Sequence, residues 1–203
     1  MQRDSTQKNW DEFWNRKQHV ENVYSNVERI ITNLRRVTDL KGKRVLEVGA
    51  GTARDSFKLV SEGASVFVLD YSPVAMDIVN HLNLENETKI QPIRADAFKI
   101  PCADNTFDIV FHQGLLEHFR DPLPLLQENV RVLKQGGYLL VDVPQRYHIY
   151  TIIKHILIFF NKWFAGWETE FSIKELQNLT ERAGVKVVYR YGSWMRPSLF
   201  YRI

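Results

Sequence analysis

The stretch RVLEVGAGTA at residues 44–53, followed by VFVLD at residues 66–70, decides the fold of this chain. Its apolar runs suit buried parallel strands, and Gly49 and Gly51 let the backbone turn tightly and approach a ligand without an intervening Cβ. Asp70 lies nineteen positions after Gly51 and ends the second apolar run. A carboxylate there can accept hydrogen bonds from both hydroxyls of a ribose. The pattern is half of a nucleotide-binding fold, and it predicts a ligand that carries a nucleoside.

The kind of nucleoside ligand follows from how the turn departs from the dinucleotide fingerprint. A G-x-G-x-x-G sequence counted from Gly49 would need glycine at position 54, where the chain has Arg54. A bulky side chain there disfavours the close packing that a bound pyrophosphate uses, and the Gly-Lys-Ser/Thr phosphate loop is missing. Glu47, at the mouth of the turn, suits an ammonium group better than a phosphate. A ligand with an amino-acid end therefore fits best.

Several motifs then follow in a fixed order. They are EVGAG at 47–51, RADA at 94–97, IPCADNTFDIVF at 100–111, LEHF at 116–119 and VLKQGGYLLV at 132–141. In this order the chain resembles the class I S-adenosylmethionine-dependent methyltransferases over residues 40–190. Within that class it is most similar to the type 11 subgroup, which methylates small molecules including quinone precursors. The resemblance implies S-adenosylmethionine as the cofactor and S-adenosylhomocysteine as the product.

The resemblance also implies which residues hold the cofactor. Asp96 with Ala97 stands where the family holds the adenine edge, and Tyr71 either stacks on the adenine or is an ordinary half-buried aromatic. The expected cofactor residues are Glu47, Gly49, Ala50, Gly51, Asp70, Tyr71, Ser72, Asp96, Ala97, His112 and Gln113.

A general base helps methyl transfer only if the acceptor is a hydroxyl or an activated carbon, because positioning alone can suffice for other acceptors. His112, after the fourth strand, is the first candidate for that base, and His148 is the second. The alternative for His112 is that its backbone carbonyl holds the amino group of the cofactor while the ring only packs. No metal is expected: metal-binding relatives carry an acid where this chain has Gly114, so Glu117 and His118 are interpreted as ordering a loop.

Composition limits the number of domains, the class of ligand and the cellular setting. The chain has 203 residues, 44% of them hydrophobic, and a net charge of +3. This is enough for one core, so a single domain over 1–203 is expected, and the charge is too small for a typical nucleic-acid-binding surface. One cysteine and a polar start predict a reducing, cytoplasmic setting.

The alternation of strand and helix patterns predicts an α/β fold. We expect a Rossmann-like three-layer αβα sandwich whose mostly parallel sheet has seven strands. The last strand is expected to be antiparallel, because Val185–Tyr191 and Leu199–Ile203 could form the final antiparallel pair. Residues 1–40 are predicted to form helices that either pack on the sheet or fold over the cofactor as a flap.

Residues 145–170 form a predicted lid, which contains an apolar segment at 147–164 interrupted by charged residues. Three interpretations stay open: an amphipathic helix that lines an apolar acceptor pocket, a plain core helix, or a helix that docks transiently on a membrane surface. The segment is too short and too interrupted to span a bilayer. The sequence HQGL at 112–115 also lacks the Pro-Pro-aromatic motif of base N-methyltransferases.

The leading hypothesis is therefore methyl transfer to a small, lipophilic acceptor by a monomer or homodimer. Two alternatives remain. One is a catalytically silent scaffold or partner subunit that keeps the cofactor site, and the other is an NAD-dependent oxidoreductase on the same half-fold, which Arg54 and Glu47 disfavour.

Overall fold

The computed structural model describes residues 6–16, 28–147, 149–160 and 168–192. This part of the chain contains the strands β1 (Arg44–Val48), β2 (Ser65–Asp70), β3 (Gln91–Arg94), β4 (Phe107–Gln113) and β5 (Leu133–Asp142). Its helices are α1 (Gln7–Arg16), α2 (Arg29–Leu34), α3 (Arg54–Ser61), α4 (Pro73–Glu85), α5 (Leu123–Val132), α6 (Ile149–Phe159) and α7 (Ile173–Arg182). A 3-10 turn at Leu116–His118 joins β4 to α5.

The sheet has the strand order β3-β2-β1-β4-β5, and every described pair is parallel. The chain first moves outward from β1 to β3 and then returns to place β4 on the other side of β1. Ligands of open α/β sheets bind beyond the carboxyl ends of the strands where this reversal occurs. The fold therefore directs attention to the ends of β1 and β4.

Helices cover both faces of the sheet, as the α/β prediction requires. On one face, Val45 and Val68 pack with Trp14, Leu34 and other residues of α1 to α4. The opposite face carries a second cluster that includes Leu46 and Val132, beside a third cluster around α5 and α7. The neighbouring residues Val45 and Leu46 of β1 thus enter different cores, which is why both are apolar.

Helix starts follow local sequence signals. Ser72 accepts a hydrogen bond from the Ala75 amide, and Pro73 occupies the first turn of α4. Ser172 and Glu175 form a reciprocal capping box at the start of α7. These contacts are made within a few residues, so the sequence alone can specify them.

Two predictions about the sheet are wrong. The described residues contain five parallel strands rather than seven, with no antiparallel strand. Val185–Tyr191 pairs with no strand there; the hydroxyl of Tyr191 instead donates to Asp142 Oδ2 at 2.7 Å. A strand forms only when a partner edge is available, and the proposed partner at 199–203 lies outside the described residues.

The start of β5 is irregular. Gly136 and Gly137 lie inside this strand, where the register shifts between Phe107 and Ile109 of β4. A Cβ on Gly137 would meet the Asp108 carbonyl oxygen at 2.8 Å. The glycine is needed because two backbones approach closely, not because the chain reverses.

Candidate active site

The glycine turn after β1 is tied directly to the end of β2. The amides of Gly49 and Ala50 both donate to the Leu69 carbonyl, at 2.7 and 3.1 Å. Asp70 then accepts from the amide of Gly51 through Oδ2 and from that of Ser72 through Oδ1, each at 2.9 Å. Burial raises the pKa of the Asp70 carboxyl, and these amide hydrogen bonds oppose that rise. Asp70 is held in place before any ligand binds.

A cavity of about 240 Å³ lies over this turn. It is lined by nine of the predicted cofactor residues, namely Glu47, Gly49, Ala50, Gly51, Asp70, Tyr71, Asp96, Ala97 and Gln113. Ser72 and His112 are not among the lining residues. Ser72 instead caps α4 and supplies one of the amides that hold Asp70.

Glu47 is buried at the end of β1. Burial, together with the charge of Asp55, raises the pKa of its carboxyl to about 8. Ser56 of α3 donates to Glu47 Oε2 at 2.5 Å. This carboxyl can gain from a cationic ligand group, because the cation would favour the charged form that burial disfavours.

Helix α1 lies against the glycine turn. Gly51 has a φ of +52°, and a Cβ there would come within 2.4 Å of Trp14. Gln7, Trp10 and Trp14 all line the cavity. The sequence predicted that the aromatics of this helix either pack on the sheet or cover the cofactor. Trp14 packs in the core on one face of the sheet, and it also lines the cavity where the cofactor is expected.

His112, the first candidate for a general base, is fully buried in β4. Burial lowers the pKa of its ring to about 3, and its side chain lines neither this cavity nor the larger one beside it. The geometry favours the alternative in which the ring only packs. A signal was present in the sequence: His112 directly continues the apolar run 109–111, and such strands are covered on both faces. His148, the second candidate, lies outside the described residues.

A second cavity, of about 1400 Å³, runs along β5 and past its carboxyl end. It shares four lining residues with the first cavity: Trp10, Gln113, Gly114 and His118. Of these four, only His118 has an ionisable side chain. The place where the two cavities meet is therefore framed by α1, the end of β4 and the 3-10 turn.

Gln113 belongs to a chain of polar contacts at this junction. In the amide orientation that satisfies both neighbours, its nitrogen donates to Asp55 Oδ2 at 3.2 Å and its oxygen accepts from Arg29 Nη2 at 2.7 Å. Arg29 also pairs with Asp142, with Nε 2.8 Å from Oδ2 and Nη2 3.0 Å from Oδ1. Sequence reasoning missed Arg29, because nothing local to it indicates a partner more than one hundred residues away.

A buried group of ionisable side chains borders the larger cavity. Lys154 of α6 lies 2.8 Å from Glu168 Oε2 and 2.5 Å from Glu170 Oε1. Glu168 Oε1 in turn lies 3.8 Å from His118 Nδ1. Burial raises the pKa of Glu117, in the same turn, well above its usual range. Among the residues that the structure describes, no three acidic, histidine or cysteine side chains are arranged to hold a metal ion.

Comparison with known proteins identifies the class to which this site belongs. Residues 46–141 match the methyltransferase domain family. A demethylmenaquinone methyltransferase from Bacillus mycoides is 32% identical, the match covering 75% of this chain and 74% of that protein. A second, from Clavibacter sepedonicus, is also 32% identical, over 55% of this chain and 45% of that protein.

Solved structures show the same fold. An S-adenosylmethionine-dependent methyltransferase from Thermotoga maritima superposes with a TM-score of 0.67 at 21% identity, covering 90% of this chain and 82% of that one. Together with the sequence relatives, this shows that the chain belongs to the class I S-adenosylmethionine-dependent methyltransferases, type 11.

Proposed function

We propose that this chain transfers a methyl group from S-adenosylmethionine to a small acceptor of the quinone class that carries an apolar side chain. The observation that carries this proposal is the junction of the two cavities at Trp10, Gln113, Gly114 and His118. A donor in the smaller cavity and an acceptor in the larger one would meet there. The substrate named for the relatives, demethylmenaquinone, supports the choice of acceptor class.

The residues of the smaller cavity fit the cofactor. Asp70 is held by two amides and can accept from ribose hydroxyls, while the buried Glu47 carboxyl can pair with the ammonium group. Gly49 and Gly51 leave room for close approach of the backbone. When bound, S-adenosylmethionine supplies an electrophilic methyl group on a sulfonium that is already a good leaving group.

The larger cavity suits an acceptor with polar and apolar parts. Apolar side chains such as Leu139, Val141 and Phe171 line one portion of it, whereas Glu117, His118 and Lys154 line another. Its volume of about 1400 Å³ leaves room for a ring together with an attached chain.

Helix α6 supports a further part of this proposal, namely transient contact with a membrane surface. The helix buries Thr151 and Lys154 but exposes Ile152, Ile156 and Phe159, which are 64%, 52% and 77% exposed. Thr151 and Lys154 also line the larger cavity. A lipid surface against the exposed face would bring an apolar acceptor directly to the helix that borders its cavity. Among the described residues, no helix is long and apolar enough to cross a membrane.

Two measurements test the proposed function. Calorimetric titration with S-adenosylmethionine, S-adenosylhomocysteine and NADH is run on the wild type, on Asp70→Asn and on Asp77→Asn, an exposed aspartate of α4 that serves as the matched control. Asn keeps an acceptor for one of the two amides and removes the charge, and thermal unfolding of the variant shows whether it is folded as the wild type is. We expect micromolar binding of the first two ligands only, weakened about tenfold or more in Asp70→Asn and unchanged in the control.

The second measurement is transfer of a labelled methyl group to chemically reduced demethylmenaquinone with a short side chain. Labelled product in the wild type is the expected result. Cofactor binding without transfer to any quinol would favour a silent scaffold, and NADH binding in place of S-adenosylmethionine would favour the oxidoreductase.

A further inference from the structure

The turn Leu116–His118 holds two buried polar atoms that have no hydrogen-bond partner among the described residues. They are Glu117 Oε2 and His118 Nδ1. Both residues are almost fully enclosed, and both line the larger cavity. An unsatisfied buried polar atom costs about 1–3 kcal/mol, so two on adjacent residues call for an explanation. Binding of a ligand that satisfies both would supply one.

The two side chains offer complementary chemistry. Burial raises the pKa of the Glu117 carboxyl well above its usual range, which favours the protonated form, and a protonated carboxyl can donate a hydrogen bond. Burial lowers the pKa of His118, an effect that Lys154 reinforces and the charge of Glu168 opposes. The imidazole is therefore neutral and can accept a proton. A donor beside an acceptor matches a hydroxyl group, which needs both.

The surroundings of His118 favour a role in proton transfer. Glu168, from the segment before α7, lies 3.8 Å from Nδ1 and is held by Lys154 of α6. The amide of Thr169 donates to the Glu117 carbonyl at 2.9 Å, which fixes this segment against the turn. On the other side, α1 presents the uncharged ring of Trp10, with centroids 4.9 Å apart. A carboxylate so placed would stabilise an imidazolium that forms during reaction.

We propose that Glu117 and His118 form a subsite for an aromatic ring hydroxyl of the acceptor, with His118 as the general base and Glu168 as its positioning residue. This inference rests on the proposed function and adds which chemical group of the acceptor the site recognises, namely the ring hydroxyl. In the reaction, the acceptor O–H bond breaks and its proton moves to His118 Nδ1. The electron pair left on oxygen forms the new bond to the methyl carbon, directly or through the ring. The sulfur–methyl bond breaks, and its electron pair stays on sulfur.

Binding is tested with two matched probes, 1-naphthol and 1-methoxynaphthalene, which differ in whether the oxygen carries a proton. We expect the full chain to bind 1-naphthol at least tenfold more tightly. His118→Phe should abolish the difference. Glu117→Gln, which keeps a donor, should retain most of it, whereas Glu117→Met should lose it. Asn178→Met, at an exposed position of α7 that does not line the cavity, is the control and should behave as wild type. Equal affinities of the wild-type chain for the two probes would by themselves overturn the proposed subsite.

The role of His118 as base is tested by the pH dependence of methyl transfer to the quinol. The maximal rate should rise with pH as His118 loses its proton, and His118→Phe should lower the rate by about 10²-fold or more and remove this dependence. Because the charge of Glu168 raises the pKa of His118, Glu168→Gln should move the rise to lower pH with little change in KM. An unchanged pH profile in both variants would overturn the assignment.

The outcomes separate this inference from the proposed function. A wild-type preference for 1-naphthol that depends on His118, together with a failure to bind S-adenosylhomocysteine, would leave the subsite standing and refute the methyl transfer. Methylation of the quinol by a chain that binds the two probes equally would refute the subsite and leave the methyl transfer standing.

Discussion

The carboxyl group of Glu47 shows how one residue can couple cofactor binding to pH. Its pKa is about 8 in the folded chain against an ordinary value of 4.5. Between these values the unfolded chain ionises while the folded chain stays protonated, so this group lowers the stability as the pH rises from about 4.5 to about 8. A cationic ligand group would favour the ionised form. Binding and stability therefore respond to pH in opposite directions.

Glu47→Gln is predicted to raise the melting temperature relative to wild type, by an amount that grows between pH 5 and pH 8. In the wild type, the affinity for S-adenosylmethionine should increase over the same range, and in Glu47→Gln it should be weaker and nearly independent of pH. Calorimetry and thermal unfolding measure both effects. The control ligand is methylthioadenosine, which lacks the amino-acid end; a pH dependence for this ligand equal to that for S-adenosylmethionine would contradict the role given to Glu47.

At the scale of elements, α6 is unusual because it buries a lysine and exposes large apolar side chains. Lys154 is 1% exposed and its charge is met by Glu168 and Glu170. Helices of water-facing domains normally show the reverse pattern, with the apolar stripe inward. The proposed contact with a membrane surface would cover this exposed face of α6.

Replacing Ile156 with Asp is predicted to weaken binding to vesicles of phosphatidylethanolamine and phosphatidylglycerol by tenfold or more, because burying an isoleucine side chain contributes roughly 1.5–3 kcal/mol. Co-sedimentation with the vesicles measures the effect. The matched control is Leu84→Asp on α4, where Leu84 is 80% exposed, and it should bind like wild type.

Two results would contradict membrane contact. One is equal vesicle binding by both variants. The other is a dimer, seen by analytical ultracentrifugation, that dissociates in Ile156→Asp but not in Leu84→Asp, since a second copy of the chain would then cover the face of α6.

At the scale of the whole molecule, the pair Arg29–Asp142 joins distant parts of the chain. Arg29 begins α2, Asp142 ends β5, and Tyr191 beyond α7 donates to the same carboxylate. Both charged side chains are almost buried, at 9% and 11% exposure. The contact fixes the N-terminal helices, the sheet and the C-terminal segment relative to one another beside the larger cavity.

Arg29→Met is predicted to destabilise the fold by about 3–5 kcal/mol, because it leaves the Asp142 carboxylate buried without its cation. The melting temperature should fall by roughly 6–20 °C for a chain of this size. Arg35→Met is the control: its partner is Glu62, and Arg35 is 54% exposed, so its removal should lower the melting temperature far less. Similar losses for the two variants would show that the buried pair has no special structural role.

The sequence by itself determined the features that depend on neighbouring residues. The glycine turn, the position of Asp70 at the end of β2, and the caps at Ser72 and Ser172 could all be read from it, because their contacts lie within one turn or one βα unit. The order of the motifs was also sufficient to indicate the family. These features define where the cofactor is expected to bind.

Only the tertiary structure decided which side chains meet at the junction of the cavities. His112 and His118 are six positions apart, yet β4 buries one ring between covered faces and the following turn brings the other to Trp10 and Glu168. The number of strands and the outward face of α6 were likewise undetermined, since they depend on pairing and packing between segments far apart in the chain. Such long-range contacts leave no mark on local sequence pattern, and they select which of several polar residues can act on an acceptor.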